Sequence, residues 1–150
     1  MLHFVVFEKN GDFLMRNYTR KVYYYETDRM GIVHHSNYIR WFEEARVFYF
    51  DEIGLSYAGL ENIGLWLPLT DSHCNYKSFL KYDERFSIET NILEYNGCRI
   101  KLGYTVYKED GTIAADGYTS HCFTNPDMKL LRIKKSHPEI HEKLVSLIKQ

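Results

Sequence analysis

Apolar side chains recur at spacings of three and four between residues 38 and 53, as on one face of an α-helix. The residues on this face are Tyr38, Trp41, Phe42, Ala45, Phe48, Tyr49 and Ile53. Ser36 or Asn37 can cap the start of such a helix, and Gly54 is a typical stop. The pattern therefore predicts a helix from about Asn37 to Ile53, followed by a short helical or irregular piece over residues 57–63.

Five segments have the composition of β-strands, because β-branched and aromatic residues are concentrated in them. These segments lie within residues 20–25, 67–81, 85–95, 99–108 and 113–124. Turn signals at Tyr82-Asp83, Asn96-Gly97 and Asp110-Gly111 separate the last four segments. The order of elements predicts an α+β fold in which one strand and one long helix precede an antiparallel meander that can wrap the helix.

Both ends of the chain carry further candidate elements. Residues 4–14 contain a candidate strand and turn. Residues 137–148 place apolar side chains on one helical face, which predicts a C-terminal packing helix. The chain has 150 residues, of which 45% are hydrophobic, so we expect one domain, 1–150, with a core of its own.

The charge balance and the cysteines narrow the possible partners and compartments. The formal net charge of -1 gives no overall field that would draw the protein to nucleic acid or to an anionic membrane. Three widely spaced cysteines, Cys74, Cys98 and Cys122, suggest neither a disulfide framework nor a zinc site. The N-terminus is a poor signal peptide, and no segment reaches the length of a membrane span. We therefore expect a cytoplasmic protein without stable membrane insertion.

One segment carries a specific resemblance. The run ETDRMGIVHHSNYIRWFEEAR at positions 26–46 resembles the signature of the 4-hydroxybenzoyl-CoA thioesterase-like branch of the hotdog superfamily. Later landmarks of that family follow in the same order, and the resemblance covers roughly residues 17–138, where we place the core. The later landmarks are Gly54-Leu55 with Tyr57, YKSFLKYDE at 76–84, and Ala115, Gly117 and Thr119. The chain is also similar to the branch that includes Tol-Pal-associated acyl-CoA thioesterases.

The resemblance implies a fold and an assembly. Members of the family have a five-stranded antiparallel sheet wrapped around one long central helix, in agreement with the order of elements derived above. They form homodimers in which each active site uses groups from both chains, and the dimers often pair into tetramers. We therefore expect a homodimer or homotetramer whose substrate is an acyl-CoA, with acyl carrier protein as a possible carrier of the acyl group.

The resemblance also implies a catalytic carboxylate, Asp28. Its predicted place just ahead of the long helix lets the positive end of the helix dipole favour the ionised form. An ionised carboxylate can act as general base on water or attack the thioester carbonyl directly, and the sequence leaves both roles open. His35 would orient the thioester or shuttle a proton.

The developing oxyanion needs hydrogen-bond donors. Gly31 permits a left-handed or close backbone, and the amides from His34 to Asn37 lie at the helix start, where N–H groups lack partners within the helix. The Asn37 and Tyr24 side chains would be supporting members of the site. One departure from the family is Glu26, where many relatives carry Asp, and it bears on the local support of the site and on its substrate preference.

Three further groups of residues have both a functional and a structural interpretation. Tyr38, Trp41 and Phe42 are first of all core residues and can also border the acyl pocket. A basic cluster, defined as Lys129, Arg132, Lys134 and Lys135, can meet the phosphates of coenzyme A or form a solvated face. His73-Cys74 and His121-Cys122 are adjacent on predicted strands and point to opposite faces, so we expect no metal site.

These observations predict an acyl-CoA thioesterase that releases free acid and coenzyme A. No cofactor is expected, since coenzyme A is part of the substrate and product. A hotdog hydratase would need a differently spaced His and acid, for which the chain shows no counterpart. A non-catalytic module that binds acyl-CoA or acyl carrier protein is the other alternative, and retention of Asp28 argues against it.

Overall fold

The computed structural model describes residues 15–148, so the candidate strand at 4–14 lies outside the described residues. The strands are β1 (Tyr18–Lys21), β2 (Leu69–Tyr76), β3 (Arg85–Tyr95), β4 (Arg99–Lys108) and β5 (Ile113–Cys122). The helices are α1 (Ser36–Glu52), α2 (Tyr57–Asn62), α3 (Ile133–Ser136) and α4 (Pro138–Ile148), with a 3-10 helix at Tyr24–Glu26.

The five strands form one antiparallel sheet in the order β1-β3-β4-β5-β2. This sheet and the long α1 confirm the predicted α+β hotdog fold. Strand β2 is an edge strand, and no other strand among residues 15–148 pairs with its outer side. Every side chain of β2 is at least partly exposed to solvent. An exposed edge strand presents unpaired backbone groups to any second strand that approaches.

Helix α1 packs on the sheet through aromatic side chains. Phe42 stacks on Tyr104 of β4, with ring centroids 4.5 Å apart, and Trp41 lies 4.3 Å from Phe86 of β3. Gly117 of β5 makes this close approach possible, since a Cβ there would lie 2.9 Å from a carbon atom of the Phe42 ring. The long helix therefore occupies a fixed position across the sheet.

The predicted helix face is correct except at one position. Phe48 is only partly buried and contacts Tyr18 of β1, with ring centroids 5.7 Å apart. Arg46 and Phe50 are buried instead, with 7% and 1% of their surface exposed. The buried residues of α1 lie on one stripe at spacings of three and four, which includes Arg46 and Phe50, and Phe48 falls at its margin.

The start of α1 also differs from the prediction. His35, and neither Ser36 nor Asn37, is the residue that precedes the first helical turn, and its side chain makes no capping hydrogen bond. The His34 ring accepts the Ser36 N–H at Nδ1, at 3.2 Å. The predicted stop is confirmed, because Gly54 has φ +77° and donates to the carbonyl of Asp51.

A network of buried, hydrogen-bonded polar side chains joins α1 to α2 and to the sheet. Arg46 Nε donates to the Tyr57 hydroxyl at 2.6 Å. Its guanidinium also donates to the hydroxyls of Tyr104, at 3.3 Å, and Thr119, at 3.4 Å. Arg46 forms no ion pair with a carboxylate among residues 15–148, so hydroxyl groups alone accept its hydrogen bonds there.

The same hydrogen-bond network extends to His121 and defines its tautomer. His121 Nδ1 lies 3.2 Å from the Leu67 carbonyl, which can only accept, so Nδ1 carries the proton. Nε2 then accepts from the Thr119 hydroxyl at 2.9 Å. His121 is neutral in this arrangement, and burial, together with the nearby charge of Arg46, lowers its pKa to about 4.

We expect this histidine to make the protein less stable in mild acid. Between pH 6.5 and 4 the unfolded chain binds a proton at His121 that the folded chain does not bind, so the free energy of unfolding falls as the pH falls. The loss should approach about 3 kcal/mol by pH 4. Urea unfolding of wild type and His121→Gln at pH 7, 5.5 and 4 checks this. Equal losses in the two proteins would contradict the prediction.

Candidate active site at the start of the central helix

The loop that precedes α1 is closed at its base by backbone hydrogen bonds. Thr27 and Val33 form an isolated antiparallel bridge, and the His34 N–H donates to the Glu26 carbonyl at 2.9 Å. The Val33 N–H donates to the Leu80 carbonyl at 2.9 Å, which fastens the loop to the segment after β2. Residues 27–33 therefore form a small closed loop, hereafter the Asp28 loop.

Asp28 organises this loop through its own backbone and one carboxylate oxygen. Its N–H donates to the Ile32 carbonyl, and Oδ1 accepts the Met30 N–H, both at 2.8 Å. Gly31 donates to the Asp28 carbonyl at 3.0 Å with φ +78°, so the expected left-handed backbone is confirmed. Oδ2 accepts no hydrogen bond from residues 15–148, and the side chain is partly exposed. One carboxylate oxygen is thus held while the other is available to a substrate or a water.

The four candidate oxyanion amides reduce to one. The His34 N–H donates to the Glu26 carbonyl, the Ser36 N–H to the His34 ring, and the Asn37 N–H to the His34 carbonyl. Only the His35 N–H has no acceptor among residues 15–148. This amide is the remaining donor from the predicted set for a carbonyl oxygen bound at the helix start.

The exposed His35 ring lies beside two aromatic neighbours. Its centroid is 4.1 Å from the His34 ring and 6.4 Å from the Tyr76 ring. Tyr76, the last residue of β2, donates its hydroxyl to the His35 carbonyl at 3.4 Å and makes an edge contact with Tyr38. The sequence analysis placed Tyr76 in a predicted strand and in a family landmark without a role at the site, and the structure brings it to the helix start.

Glu26, which the sequence analysis connected only with local support of the site and its substrate preference, makes several buried contacts. Only 3% of its surface is exposed, and Oε2 accepts the Trp41 indole N–H at 2.7 Å. Oε1 accepts the Tyr23 N–H at 2.7 Å and pairs with Arg20. These bonds hold the chain in the 3-10 helix at Tyr24–Glu26, so the strand predicted over 20–25 is confirmed with different bounds: β1 runs Tyr18–Lys21.

The two predicted supporting residues have different surroundings. Asn37 donates its side-chain amide to the carbonyls of Glu26, at 2.9 Å, and His34, at 3.2 Å, so it ties the base of the Asp28 loop to α1. The Tyr24 side chain is 78% exposed and makes an edge contact with Tyr82. Asn37 is therefore placed to position the loop, whereas the Tyr24 ring lies on the surface.

The three aromatic residues expected at the acyl pocket are buried in the core of this chain. Trp41 and Phe42 have no exposed surface, and Tyr38 has 4%. Burial also raises the pKa of Tyr38 above its usual range. In a single chain, Trp41 and Phe42 offer no surface that an acyl group could contact.

The basic cluster is exposed and lies far from Asp28 in the same chain. Its segment contacts the β3–β4 turn, where the Ile133 N–H donates to the Gly97 carbonyl. The Asp28 loop lies at the other end of β3, where the Val22 N–H donates to the Glu84 carbonyl. With 11 residues, β3 separates the two ends by about 34 Å.

Two general findings bear on partners. Within the part of the chain that the structure describes, no three His, Cys, Asp or Glu side chains gather as a metal site would require. None of the helices over residues 15–148 is both long and apolar enough to cross a membrane. The expected cytoplasmic location stays a prediction.

A family comparison decides where this loop and fold belong. The model of a protein family described as the thioesterase-like superfamily matches residues 22–144, which include the Asp28 loop, α1 and the whole sheet except β1. The chain belongs to the thioesterase-like superfamily. This match confirms the hotdog fold predicted from the sequence, and the relatives named below confirm the thioester hydrolase class, while the narrower resemblance to the Tol-Pal-associated branch stays a prediction.

Individual relatives of this thioesterase cover nearly its whole length. A candidate acyl-CoA thioesterase from Bacillus subtilis is 34% identical over 122 residues, 81% of this chain and 88% of that protein. The 1,4-dihydroxy-2-naphthoyl-CoA hydrolase of Thermosynechococcus vestitus is 27% identical over 83% of this chain and 86% of its own. The DHNA-CoA thioesterase structure from Staphylococcus aureus superposes with a TM-score of 0.85 at 33% identity, covering 89% of this chain and 90% of its own.

Proposed function

We propose that this thioesterase hydrolyses an acyl-CoA thioester to a free acid and coenzyme A, with Asp28 as the reacting carboxylate. The observation that carries the proposal is the Asp28 loop itself. One carboxylate oxygen is held by the Met30 N–H, and the loop leads directly to the His35 N–H at the start of α1, which has no acceptor among residues 15–148. A carboxylate and an oxyanion donor are the two groups that thioester hydrolysis requires.

The reaction balances with these groups. As general base, Asp28 takes a proton from a water molecule, whose oxygen bonds to the thioester carbonyl carbon. As nucleophile, Asp28 would bond to that carbon itself, and water would then cleave the resulting anhydride. In both routes the carbon–sulfur bond breaks and coenzyme A leaves as a thiolate that gains a proton. The His35 ring, exposed beside the loop, is our candidate proton donor to that sulfur.

The named relatives support coenzyme A as the carrier. One is described as acting on acyl-CoA, and two on a dihydroxynaphthoyl or DHNA thioester of coenzyme A. We therefore place both aliphatic and aromatic acyl-CoA within the substrate range to be tested. Acyl carrier protein, which presents the same thioester on a protein-bound arm, is the alternative carrier.

We further propose that the active protein is a homodimer formed through β2. The outer edge of β2 has no partner among residues 15–148, and antiparallel pairing with a second copy would join the two sheets into one. The basic cluster lies at the same end of the sheet as Leu69, because Trp66 and Leu130 both pair with Thr124. In that dimer the cluster of one copy approaches the Tyr76 end of the other, where it can meet coenzyme A phosphates. A tetramer would add a second interface.

The test is a panel of thioesters with thiol release as the readout. Short branched, fatty and aromatic acyl-CoAs and one acyl carrier protein substrate are each incubated with wild type, and sedimentation equilibrium gives the mass of the protein. We expect thiol release from at least one acyl class and a mass that is a multiple of two chains. Tight binding of acyl-CoA without release would instead support the non-catalytic module.

A further inference from the structure

We propose that Tyr76 is a positioning residue for the thioester reaction, because its side chain fixes the backbone of His35 at the start of α1. The His35 N–H is the donor that we assign to the oxyanion, and its direction depends on how the His35 backbone is held. This inference rests on the proposed thioesterase function. It adds a side chain of the sheet to the residues that prepare the helix start for catalysis.

The start of α1 lacks the side-chain cap that usually orders the first turn of a helix. His35 precedes this turn, and its side chain makes no capping hydrogen bond with residues 15–148. The His34 ring accepts the Ser36 N–H at 3.2 Å, but this ring is itself exposed to solvent. Contacts with the rest of the chain must therefore hold the helix end if His35 is to direct a hydrogen bond at a substrate.

The two peptide groups on either side of the His35 Cα atom are each held through their carbonyl oxygen. The His34 carbonyl accepts the backbone N–H of Asn37, at 3.0 Å, and the side-chain amide of Asn37, at 3.2 Å. The His35 carbonyl accepts the Tyr38 N–H at 3.3 Å and the Tyr76 hydroxyl at 3.4 Å. Because peptide groups are planar, holding both fixes φ and ψ of His35, at -54° and -30°, and with them the direction of its N–H.

The ring of Tyr76 adds packing contacts to this hydrogen bond. It meets the buried Tyr38 ring edge to face, with centroids 5.2 Å apart, and lies 6.4 Å from the His35 ring at an interplanar angle of 78°. At 3.4 Å the hydroxyl bond is longer than most O–H···O bonds, so the ring should contribute the larger share. Partial burial raises the pKa of Tyr76 above its ordinary value, so the hydroxyl keeps its proton and remains a donor at neutral pH.

The backbone of Tyr76 is attached firmly to the sheet. Tyr76 ends β2, where it pairs with Ala115 of β5. The next two N–H groups, of Lys77 and Ser78, both donate to the Ala114 carbonyl, at 2.9 and 3.0 Å. A side chain on a rigid strand positions its neighbours more precisely than a side chain on a loop, so the sheet can hold the helix start through Tyr76.

Two substitutions separate the contribution of the hydroxyl from that of the ring. Tyr76→Phe keeps the ring contacts and removes the hydrogen bond, so kcat for thiol release should fall about two- to tenfold. Tyr76→Ala removes both, and kcat should fall roughly 10²-fold because the oxyanion donor is no longer held in place. KM should change little in either variant, because the hydrogen bond to the carbonyl oxygen is strongest in the transition state.

Infrared spectra of a bound thioester distinguish positioning of the donor from a general loss of structure. An acyl-CoA labelled with ¹³C at the thioester carbonyl is bound to Asp28→Asn protein, with and without Tyr76→Phe or Tyr76→Ala. We expect the carbonyl band to move to higher frequency in Tyr76→Phe and further in Tyr76→Ala, since a misdirected N–H polarises the carbonyl less. Urea unfolding shows that each variant is folded, and Tyr76→Leu replaces Tyr76→Ala if the latter is not.

A second tyrosine of the same segment provides the matched control. Tyr82 is as exposed as Tyr76, at 53%, but its ring contacts Tyr24 on the surface, so Tyr82→Phe should leave kcat and the carbonyl band unchanged. A wild-type kcat in Tyr76→Phe, or a band that stays in place while kcat falls, would overturn the positioning role of Tyr76. A wild type that releases no thiol would overturn the proposed function itself.

Discussion

Replacing Asp28 with Asn is expected to lower kcat for thioester hydrolysis by roughly 10²–10⁴-fold. An amide cannot take a proton from water or attack a carbonyl as a carboxylate does. Its oxygen can still accept the Met30 N–H that Oδ1 accepts at 2.8 Å, so the Asp28 loop should keep its shape. Stopped or continuous thiol assays with wild type, Asp28→Asn and Asp28→Ala measure the effect, and KM should change little.

The same variants separate a catalytic role from a structural one. Asp28→Ala also removes the bond to the Met30 N–H, so it should lose stability as well as activity, whereas Asp28→Asn should lose activity alone. Full activity in both variants would refute the assignment. A single turnover in ¹⁸O-water distinguishes the two chemical routes, because label in the Asp28 carboxylate appears only when it acts as nucleophile.

Replacing Glu26 with Ala is expected to lower the free energy of unfolding by about 3–5 kcal/mol. The carboxylate is buried with Arg20, whose side chain is only 7% exposed, and it also accepts the indole N–H of Trp41 and the N–H of Tyr23. Removal leaves a buried cation with one fewer partner and two donors without acceptors. Urea unfolding measures the loss, and thiol release should fall with it because the base of the Asp28 loop is displaced.

A neighbouring carboxylate provides the matched control. Glu44 also pairs with Arg20, at 2.8 Å, but its side chain is 40% exposed. Glu44→Gln should therefore cost less than about 1 kcal/mol. Glu26→Gln, which keeps one oxygen acceptor, should lie between the two. A loss for Glu26→Ala no larger than that for Glu44→Gln would show that burial of the Glu26 carboxylate does not support the loop.

The elements whose signals are local were predicted closely. Helix α1 begins and ends within one residue of its predicted bounds, and β3 and β4 coincide with theirs. Apolar period and turn dipeptides are properties of neighbouring residues, so the sequence alone contains them. The loop carrying Asp28 and the left-handed Gly31 were likewise readable from residues 26–37.

The sequence did not predict the contacts between residues that lie far apart along the chain. The predicted strand at 20–25 extends past the observed end of β1 at Lys21, because Glu26 bonds to Trp41, fifteen positions away, and this contact overrides local strand preference. The oxyanion donors are a different case: the acceptors of three candidate amides, Glu26 and His34, are near in sequence, but only the folded loop shows which amides they satisfy.

The one-helix-on-sheet architecture follows from the order and spacing of residues, and the resemblance of residues 26–46 to a family signature singled out the candidate carboxylate. The tertiary structure decided which of the candidate amides has no acceptor among residues 15–148 and which aromatic side chains belong to the core. Such facts depend on burial and on the satisfaction of hydrogen bonds, which are set by the whole packed chain and not by any one segment.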